Sequence, residues 1–144
     1  YMFYGLHVKP LDNGKFEASS PDLPECVFDA DSIDEATELA TEMMPGAMEL
    51  FYRQKRRAIP LPTPIAEDDY PIRVPTRVQA KILLWNYMVN NRYRVADMAR
   101  MLKVSQTQAQ RLVDLTKDGA SMEALDDAFD MLGMAFTLTT EKKA

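Results

Sequence analysis

Cysteine is nearly absent from this sequence, in which Cys26 is the only one among 144 residues. A single thiol excludes an intrachain disulfide framework and a cysteine-rich zinc site, so nothing requires an oxidising compartment. Because Cys26 has no histidine or basic neighbour in the chain to activate it, we predict that it is a small, buried apolar side chain.

Long apolar runs and a secretion signal are lacking as well. No stretch approaches the roughly 18 apolar residues that a membrane-spanning helix needs. The first five residues contain no basic segment followed by an apolar one, as a signal peptide would. These absences predict a cytoplasmic protein that has no membrane partner.

The sequence also has little that catalysis could use. His7 is the only histidine, so no histidine pair can hold a metal ion, and we find no glycine-rich phosphate loop and no serine-nucleophile motif. The acidic residues of the first half fall mostly in predicted loops or on the polar side of a predicted helix. A solvated acidic face explains them better than a set of metal ligands does. We therefore predict a protein that is not an enzyme and that has no catalytic residue, metal or cofactor.

What the sequence does have is charge that differs between its halves. Residues 1–75 contain seven Lys/Arg and fourteen Asp/Glu, a net charge of −7, whereas residues 76–144 contain ten and eight, a net charge of +2. Between Arg92 and Arg111, five basic residues accompany a single acid, Asp97. An acidic half joined to a locally basic half indicates two surfaces with different partners.

The first half has the pattern of a small α+β domain. Alternating apolar residues predict strands at 2–8 and 15–19, joined through an Asn-Gly turn, and two more short strands at 26–28 and 70–74. Between them, Ser32 and Glu35 have the spacing of a capping box that begins a helix. Its apolar stripe continues to Phe51, and Pro45-Gly46 is predicted to kink or split it. We interpret the basic run 53–57 as a solvated helix end rather than a nucleic-acid patch.

The second half is predicted to be helical from a domain boundary near residue 75. Helices are expected at 76–90, 95–102, 106–116 and 122–132, with Gly119 and Gly133 at helix-ending positions and a short strand at 136–139. The predicted architecture is therefore α+β, with an antiparallel sheet and a helix in residues 1–75 followed by an all-α domain in residues 76–144.

Residues 93–115 carry the functional signal, because they have the pattern of a helix-turn-helix. Ala99 and Ala109 are small enough to let two short helices approach each other, and Ser105 is a competent N-cap for the second. The predicted apolar wedge between the helices consists of Met98, Leu102, Val104, Leu112 and Val113.

The start of the second helix is rich in groups that bind base edges in the major groove. The candidates for base contact are Ser105, Gln106, Thr107, Gln108 and Gln110, with Arg111 one turn further on. Flanking side chains placed for phosphate contact are Arg92, Arg94, Arg100 and Lys103. A plain helical hairpin with a polar exposed face is the alternative, which apolar spacing alone does not exclude.

Over nearly all 144 residues, the order and spacing of these motifs resemble the HicB-type antitoxins with a C-terminal helix-turn-helix. The residues that carry the resemblance are the segments 20–26, 31–36, 59–64 and 72–75, together with Met98-Ala99-Arg100 and Arg111-Leu112. Two positions depart from the pattern. Lys103 stands where the turn usually has glycine, so either it accepts a strained φ or the turn has a different geometry. Arg94 stands where a capping Thr or Ser is common.

The resemblance implies a degenerate ribonuclease H-like N-terminal domain that binds and neutralises a small, basic HicA-type mRNA-cleaving toxin. It also implies a C-terminal domain that binds double-stranded operator DNA of its own operon as a dimer or higher oligomer. We predict that the oligomer forms through the first and last helices of residues 76–144, with the 136–139 strand as a further candidate contact. A cationic toxin would complement the acidic face of the first half. The residues that we expect to contact it are Asp22, Glu25, Asp29 and Asp31.

A ligand-sensing helix-turn-helix regulator without a toxin partner is the alternative function. Co-purification of a small basic protein would favour the antitoxin. A shift in thermal stability on addition of a metabolite would favour the sensor.

Overall fold

A four-stranded antiparallel sheet forms the first layer of the protein. The computed structural model describes residues 2–142, and its strands lie in the order β3-β2-β1-β4. Their bounds are β1 Phe3–Pro10, β2 Phe16–Ser19, β3 Val27–Ala30 and β4 Tyr70–Arg73. The predicted hairpin is confirmed as β1 and β2, with His7 opposite Ser19. The third strand begins one residue later than predicted and continues to Ala30.

One long helix packs against this sheet. Helix α1, Ile33–Met48, begins at the predicted N-cap, since Ser32 Oγ accepts a hydrogen bond from the Glu35 backbone N–H at 3.1 Å. Of the two outcomes predicted for Pro45-Gly46, a split of the helix does not occur, because α1 continues through both residues. It passes directly into a π-helical turn, Glu49–Arg53, which we call the π turn.

Four helices make up the rest of the structure. They are α2 Thr76–Asn90, α3 Val95–Leu102, α4 Gln106–Arg111 and α5 Met122–Met131. Gly133, with a φ of +76°, directly follows the C-cap of α5, as predicted. Helix α4 ends at Arg111, five residues before the predicted end at 116.

Two further local predictions are wrong. Gly119 does not end a helix; the Arg111 side chain lies against it, so that a Cβ at this position would come within 2.6 Å of the Arg111 Cδ. Residues 136–139 do not form a strand in the described chain. Instead, Phe136 packs edge-on against Phe129 of α5, with ring centroids 4.5 Å apart.

An extended segment at residues 58–64, which we call the strap, forms hydrogen bonds with both the sheet and α2. The Asn86 side chain of α2 accepts from the Ile59 backbone N–H at 2.8 Å and donates to the Ile59 carbonyl at 2.9 Å. From the sheet, Tyr4 Oη donates to the Pro60 carbonyl at 2.6 Å. Burial, and then the nearby Asp22 carboxylate, raise the pKa of Tyr4, so its hydroxyl keeps the proton that it donates.

The buried side chains of both halves belong to one hydrophobic cluster. It contains Tyr4 and Leu6 of the sheet as well as Leu84 of α2 and Leu125 of α5. These observations confirm the α+β architecture, with a small antiparallel sheet and its helix followed by a helical region. The predicted boundary near residue 75 falls between β4 and α2, and the division into two domains stays a prediction. No helix in the described chain combines the length and apolarity needed to cross a membrane.

A buried ion pair lies where the two halves meet. Arg53 Nε donates to both carboxylate oxygens of Glu49 at 2.6 Å, and both side chains are almost fully buried. Glu49 Oε1 also accepts from the backbone N–H of Leu115, at 3.0 Å, on the helical side. The interpretation of the basic run 53–57 as a solvated helix end is therefore wrong for Arg53, which is buried and paired with Glu49.

Glu49→Gln tests the contribution of this pair. The substitution keeps the side-chain shape but leaves the buried Arg53 without a compensating charge. We expect the free energy of unfolding to fall by about 3 kcal/mol, measured by urea denaturation. The matched control is Glu42→Gln, an exposed acid on the preceding helix α1, which we expect to change the free energy of unfolding by less than about 0.5 kcal/mol. Equal effects of the two substitutions would mean that the pair does not stabilise the fold.

Candidate nucleic-acid interface

Helices α3 and α4 pack against each other through the small residues expected from the sequence. Ala99 and Ala109 are buried, together with Met98, Leu112 and Val113 of the predicted wedge. Leu102 is partly buried, whereas Val104 is 37% exposed and so contributes less than predicted.

The turn between the two helices depends on Lys103. Its φ of 58° and ψ of 44° lie in the left-handed region, as expected for a residue at a position that usually carries glycine. The Val104 backbone N–H donates to the Ala99 carbonyl at 3.0 Å, which satisfies a carbonyl at the end of α3. A lysine in this conformation costs roughly 1 kcal/mol or more relative to glycine. The turn therefore places a cation on the exposed surface at an energetic cost.

A reciprocal capping box begins α4. Ser105 Oγ accepts from the Gln108 backbone N–H at 3.1 Å, and the Gln108 side-chain oxygen accepts from the Ser105 N–H at 3.0 Å. The oxygen of the Gln108 amide is thus engaged within the helix start. Gln106 and Thr107 are exposed, and their side chains make no hydrogen bond within the described chain. These two side chains are the ones most available to an external partner.

The later candidates on α4 have partners inside the protein. Gln110 is half-buried, and with its amide oxygen toward Arg53 it accepts from Nη1 at 2.9 Å and from Nη2 at 3.0 Å. Arg111 is exposed, but its stem packs on Gly119. Gln110 therefore faces the π turn, on the same side of α4 as Gln106, which lies one turn earlier.

The flanking basic residues surround the exposed start of α4. Arg92, Arg94, Arg100 and Lys103 are all exposed. Arg100 is paired with Asp97 at 2.7 Å, so part of its charge is already used. The predicted weakness of the α3 start at Arg94 is compensated from within the helix, because the Asp97 carboxylate accepts from the Arg94 backbone N–H at 2.8 Å. That backbone hydrogen bond, followed by the one from Arg100, lowers the pKa of Asp97.

A buried lysine determines where α4 ends. Lys81 of α2 is fully buried, and its Nζ donates to the carbonyls of Asp114 and Lys117 at 2.8 and 2.6 Å. Burial lowers the pKa of the Lys81 ammonium, and the nearby Asp114 carboxylate partly opposes that effect. Since Asp114 Oδ1 also accepts from the Thr116 N–H at 3.0 Å, the chain turns here and the helix does not continue.

The four acids predicted to contact a protein partner fall into two pairs. Asp22 accepts from the Thr63 backbone N–H at 3.0 Å and from its hydroxyl at 2.8 Å, so it holds the strap. Glu25 accepts from the Tyr52 hydroxyl at 2.8 Å. Asp29 and Asp31 are exposed at and just after the edge strand β3. Asp31 Oδ1 lies 3.8 Å from Lys15 Nζ in an exposed ion pair. Both carboxylates are nevertheless more exposed than those of Asp22 and Glu25.

Other predicted side chains also have clear positions. Cys26 is buried as predicted, and burial raises the pKa of its thiol. His7 Nδ1 lies 2.9 Å from the Asp69 carboxylate at one edge of β1. No cluster of three potential ligands among His, Cys, Asp and Glu occurs within residues 2–142.

Sequence reasoning missed the residues that join α4 to the rest of the protein. Glu49, Arg53 and Lys81 have no motif of their own, and each acts on a partner that is distant in sequence. The i,i+4 spacing of Glu49 and Arg53 on a predicted helix was the one available signal, since it places an acid one turn before the basic run.

Comparisons with known proteins identify related sequences. A family model for the HicB_like antitoxin of bacterial toxin-antitoxin systems matches residues 3–83, more than half of the chain. Antitoxin HicB of Pseudomonas fluorescens is 31% identical over 139 residues, covering 94% of this chain and 90% of that protein. Antitoxin HicB 1 of Photorhabdus laumondii is 28% identical over 97% of this chain and 88% of its own length. Antitoxin HicB of Escherichia coli K12 is 28% identical over 95% of this chain and 98% of its own length.

Asp97→Asn tests the local stabilisation of α3. Because the folded protein lowers the pKa of Asp97, its carboxylate stabilises the fold above the pKa of the unfolded chain. This contribution is lost as the pH falls through the lower, folded pKa. We expect Asp97→Asn to lower the melting temperature at neutral pH, with a difference from the parent that disappears in strong acid. Asp126→Asn, at an exposed position of α5, is the control, and a pH-independent difference for Asp97→Asn would contradict the assignment.

Proposed function

The chain belongs to the HicB-like antitoxin family of bacterial toxin–antitoxin systems, and from this premise we propose how it acts. We infer that its acidic N-terminal part binds and neutralises a HicA-type mRNA-cleaving toxin. The helix-turn-helix formed by α3 and α4 binds operator DNA and represses the operon that encodes both proteins. The role is regulatory and stoichiometric, with no catalytic step.

One observation carries the DNA-binding part of the proposal, namely the free polar start of α4. Gln106 and Thr107 project from a helix whose inner face is buried at Ala109 and whose first turn is closed by its own capping box. A glutamine amide forms two hydrogen bonds with adenine, and a threonine contacts base edges or the thymine methyl group. Because these side chains have no internal partner in the described chain, they are available for such contacts.

Exposed cations around α4 support its docking on a duplex. Arg94 begins α3 and Lys103 forms the turn, so they lie at opposite ends of α3. In helix-turn-helix proteins, the second helix enters the major groove while flanking residues bind the phosphates. The locally positive surface explains how a protein with a net charge of −5 binds a polyanion.

The acids at the edge strand β3 support the toxin-binding part. Asp29 and Asp31 are exposed beside the exposed apolar Val27, which gives this edge both charge and a hydrophobic contact. An edge strand also has unpaired backbone groups that a partner strand can bind. Asp22 and Glu25 are hydrogen-bonded to Thr63 and Tyr52, so we propose that they shape this surface and that Asp29 and Asp31 supply its charge.

Repression of a two-fold symmetric operator requires two copies of the chain. Exposed apolar side chains support a homodimer through α2 and the segment after α5, namely Leu83, Met134 and Leu138. Two helix-turn-helix units in such a dimer would contact half-sites about 34 Å apart on one face of the duplex.

Gln106→Ala and Arg94→Gln separate base contact from phosphate contact. We expect Gln106→Ala to weaken binding to the promoter region of the operon by about 1–3 kcal/mol and to relax sequence preference. Arg94→Gln is expected to weaken binding to promoter and scrambled duplexes about equally. It should also lower the slope of log affinity against log salt by roughly one. Fluorescence anisotropy of labelled duplexes measures both quantities.

The control for these variants is Glu38→Gln, at an exposed position of α1 in the other half of the chain. It should bind both duplexes like the parent. If Gln106→Ala and Arg94→Gln also bind like the parent, α4 is not the helix that contacts DNA.

Asp29→Lys combined with Asp31→Lys tests the toxin surface. Reversal of these charges removes attraction to a cationic toxin, so we expect the association rate to fall on the order of tenfold at low salt. Surface plasmon resonance with a catalytically inactive toxin measures the rate. Glu38→Lys combined with Glu42→Lys, on the exposed face of α1, makes the same change in net charge. If both double variants slow association equally, total charge matters and β3 is not the docking edge.

A further inference from the structure

Two of the grooves that flank α4 differ in charge. One, of about 870 Å³, is lined by Arg111 and Lys117 together with Asp114 and Asp118, so its charges balance. The other, of about 880 Å³, lies between α4 and the end of the π turn. Four arginines and no acid line this second groove, which we call the arginine groove: Arg53, Arg56, Arg92 and Arg94.

Three of these arginines are not held in an ion pair within the described chain, although Arg94 interacts electrostatically with the Asp97 carboxylate. Arg53 is buried against Glu49 and is therefore used internally. Arg56, Arg92 and Arg94 are exposed, and none of them forms an ion pair with a residue of the described chain. Three guanidinium groups without an ion pair repel each other around one groove, which favours an anionic partner.

The backbone holds two of the three in an unfavourable conformation. Arg56 has a φ of 56° and Arg92 a φ of 59°, both in the left-handed region. Glycine adopts this conformation at a lower cost. Each arginine follows a helical segment, where a cation near the carbonyl end offsets part of that cost. The chain nevertheless has a long cationic side chain at both positions, directed to the same groove.

The arginine groove shares a wall with the proposed base-contacting residue. Gln106 lines it on the α4 side, while Arg56 comes from the segment that follows the π turn, 50 positions earlier in the chain. A duplex with its base edges against Gln106 has its phosphate backbone alongside. Double-stranded DNA presents a row of closely spaced anions that matches several cations along one groove.

We propose that Arg56, together with Arg92 and Arg94, binds the phosphate backbone of the operator, so that the N-terminal half contributes directly to DNA binding. This inference rests on the proposed function and extends it to a residue outside the helix-turn-helix. The DNA-contacting surface is then assembled from both halves of the chain. Arginine suits it because its planar guanidinium binds phosphate oxygens in a bidentate manner.

Arg56→Gln in the full chain tests the inference. We expect its affinity for a promoter duplex and for a scrambled duplex of equal length to fall by a similar factor, about three- to tenfold at moderate salt. The slope of log affinity against log salt should decrease by roughly one. Arg56→Lys keeps the charge and should preserve most of the slope. Fluorescence anisotropy at several salt concentrations measures these values.

Two further variants make the result specific. Lys55→Gln removes an exposed cation adjacent in the chain that does not line the groove, and it should leave the slope unchanged. Arg56→Gly suits the left-handed backbone, so it should keep or raise the melting temperature while still weakening DNA binding. Retained thermal stability with reduced affinity separates a phosphate contact from a folding effect.

The outcomes distinguish this inference from the proposed function. If Arg56→Gln keeps the parental slope while Arg94→Gln lowers it, the inference is overturned and the helix-turn-helix assignment stands. If Lys55→Gln lowers the slope as much as Arg56→Gln does, the contribution is general charge and the inference is also overturned. If Arg94→Gln and Gln106→Ala have no effect either, the proposed DNA-binding function itself is wrong.

Discussion

The rest of the structure depends on a single buried ion pair between Glu49 and Arg53. Isolated charges inside a protein cost several kcal/mol unless they are paired and hydrogen-bonded, so neither side chain can leave its position alone. Glu49 also accepts from the Leu115 backbone, and Arg53 donates to Gln110 and lies 6.0 Å from the Trp85 ring centroid. The pair thus holds the inner side of α4 and the segment after it against the end of the long helix. A local constraint in the π turn therefore fixes the position of α4, whose start is the candidate DNA-binding surface.

Features that depend on neighbouring residues were predictable from the sequence. The Asn-Gly hairpin, the Ser32 and Ser105 caps and the strained φ of Lys103 are all confirmed. Each arises from a turn or a helix cap whose residues are close together in the chain, and for these sequence patterns carry direct information. The pairing of α3 with α4 was predictable for the same reason, since a short turn leaves two small-residue helices few other ways to pack.

Features that depend on distant residues were not predictable. Helix α4 was expected to continue to 116 because Leu112, Val113 and Leu115 retain an apolar pattern, and all three are indeed buried. The chain turns because Lys81, 33 positions earlier, takes the carbonyl of Asp114. Gly119 and Arg53 were misinterpreted for similar reasons, since their partners Arg111 and Glu49 are recognisable only once the helices are packed. In the candidate site, the sequence predicted the polar side chains at the start of α4. It did not predict that the amides of Gln108 and Gln110 have internal partners in the described chain whereas that of Gln106 does not.

The clasp between Asn86 and Ile59 has a consequence for how the molecule loses its structure. The Asn86 side-chain amide both donates to and accepts from the backbone of Ile59, as a neighbouring strand would do. Tyr4 of the sheet donates to the carbonyl of the next residue, Pro60. If the sheet or α2 separates from the strap, the hydrogen bonds that join it to the strap are lost. Melting of the two halves is therefore expected to be coupled, so calorimetry would record one cooperative transition rather than two.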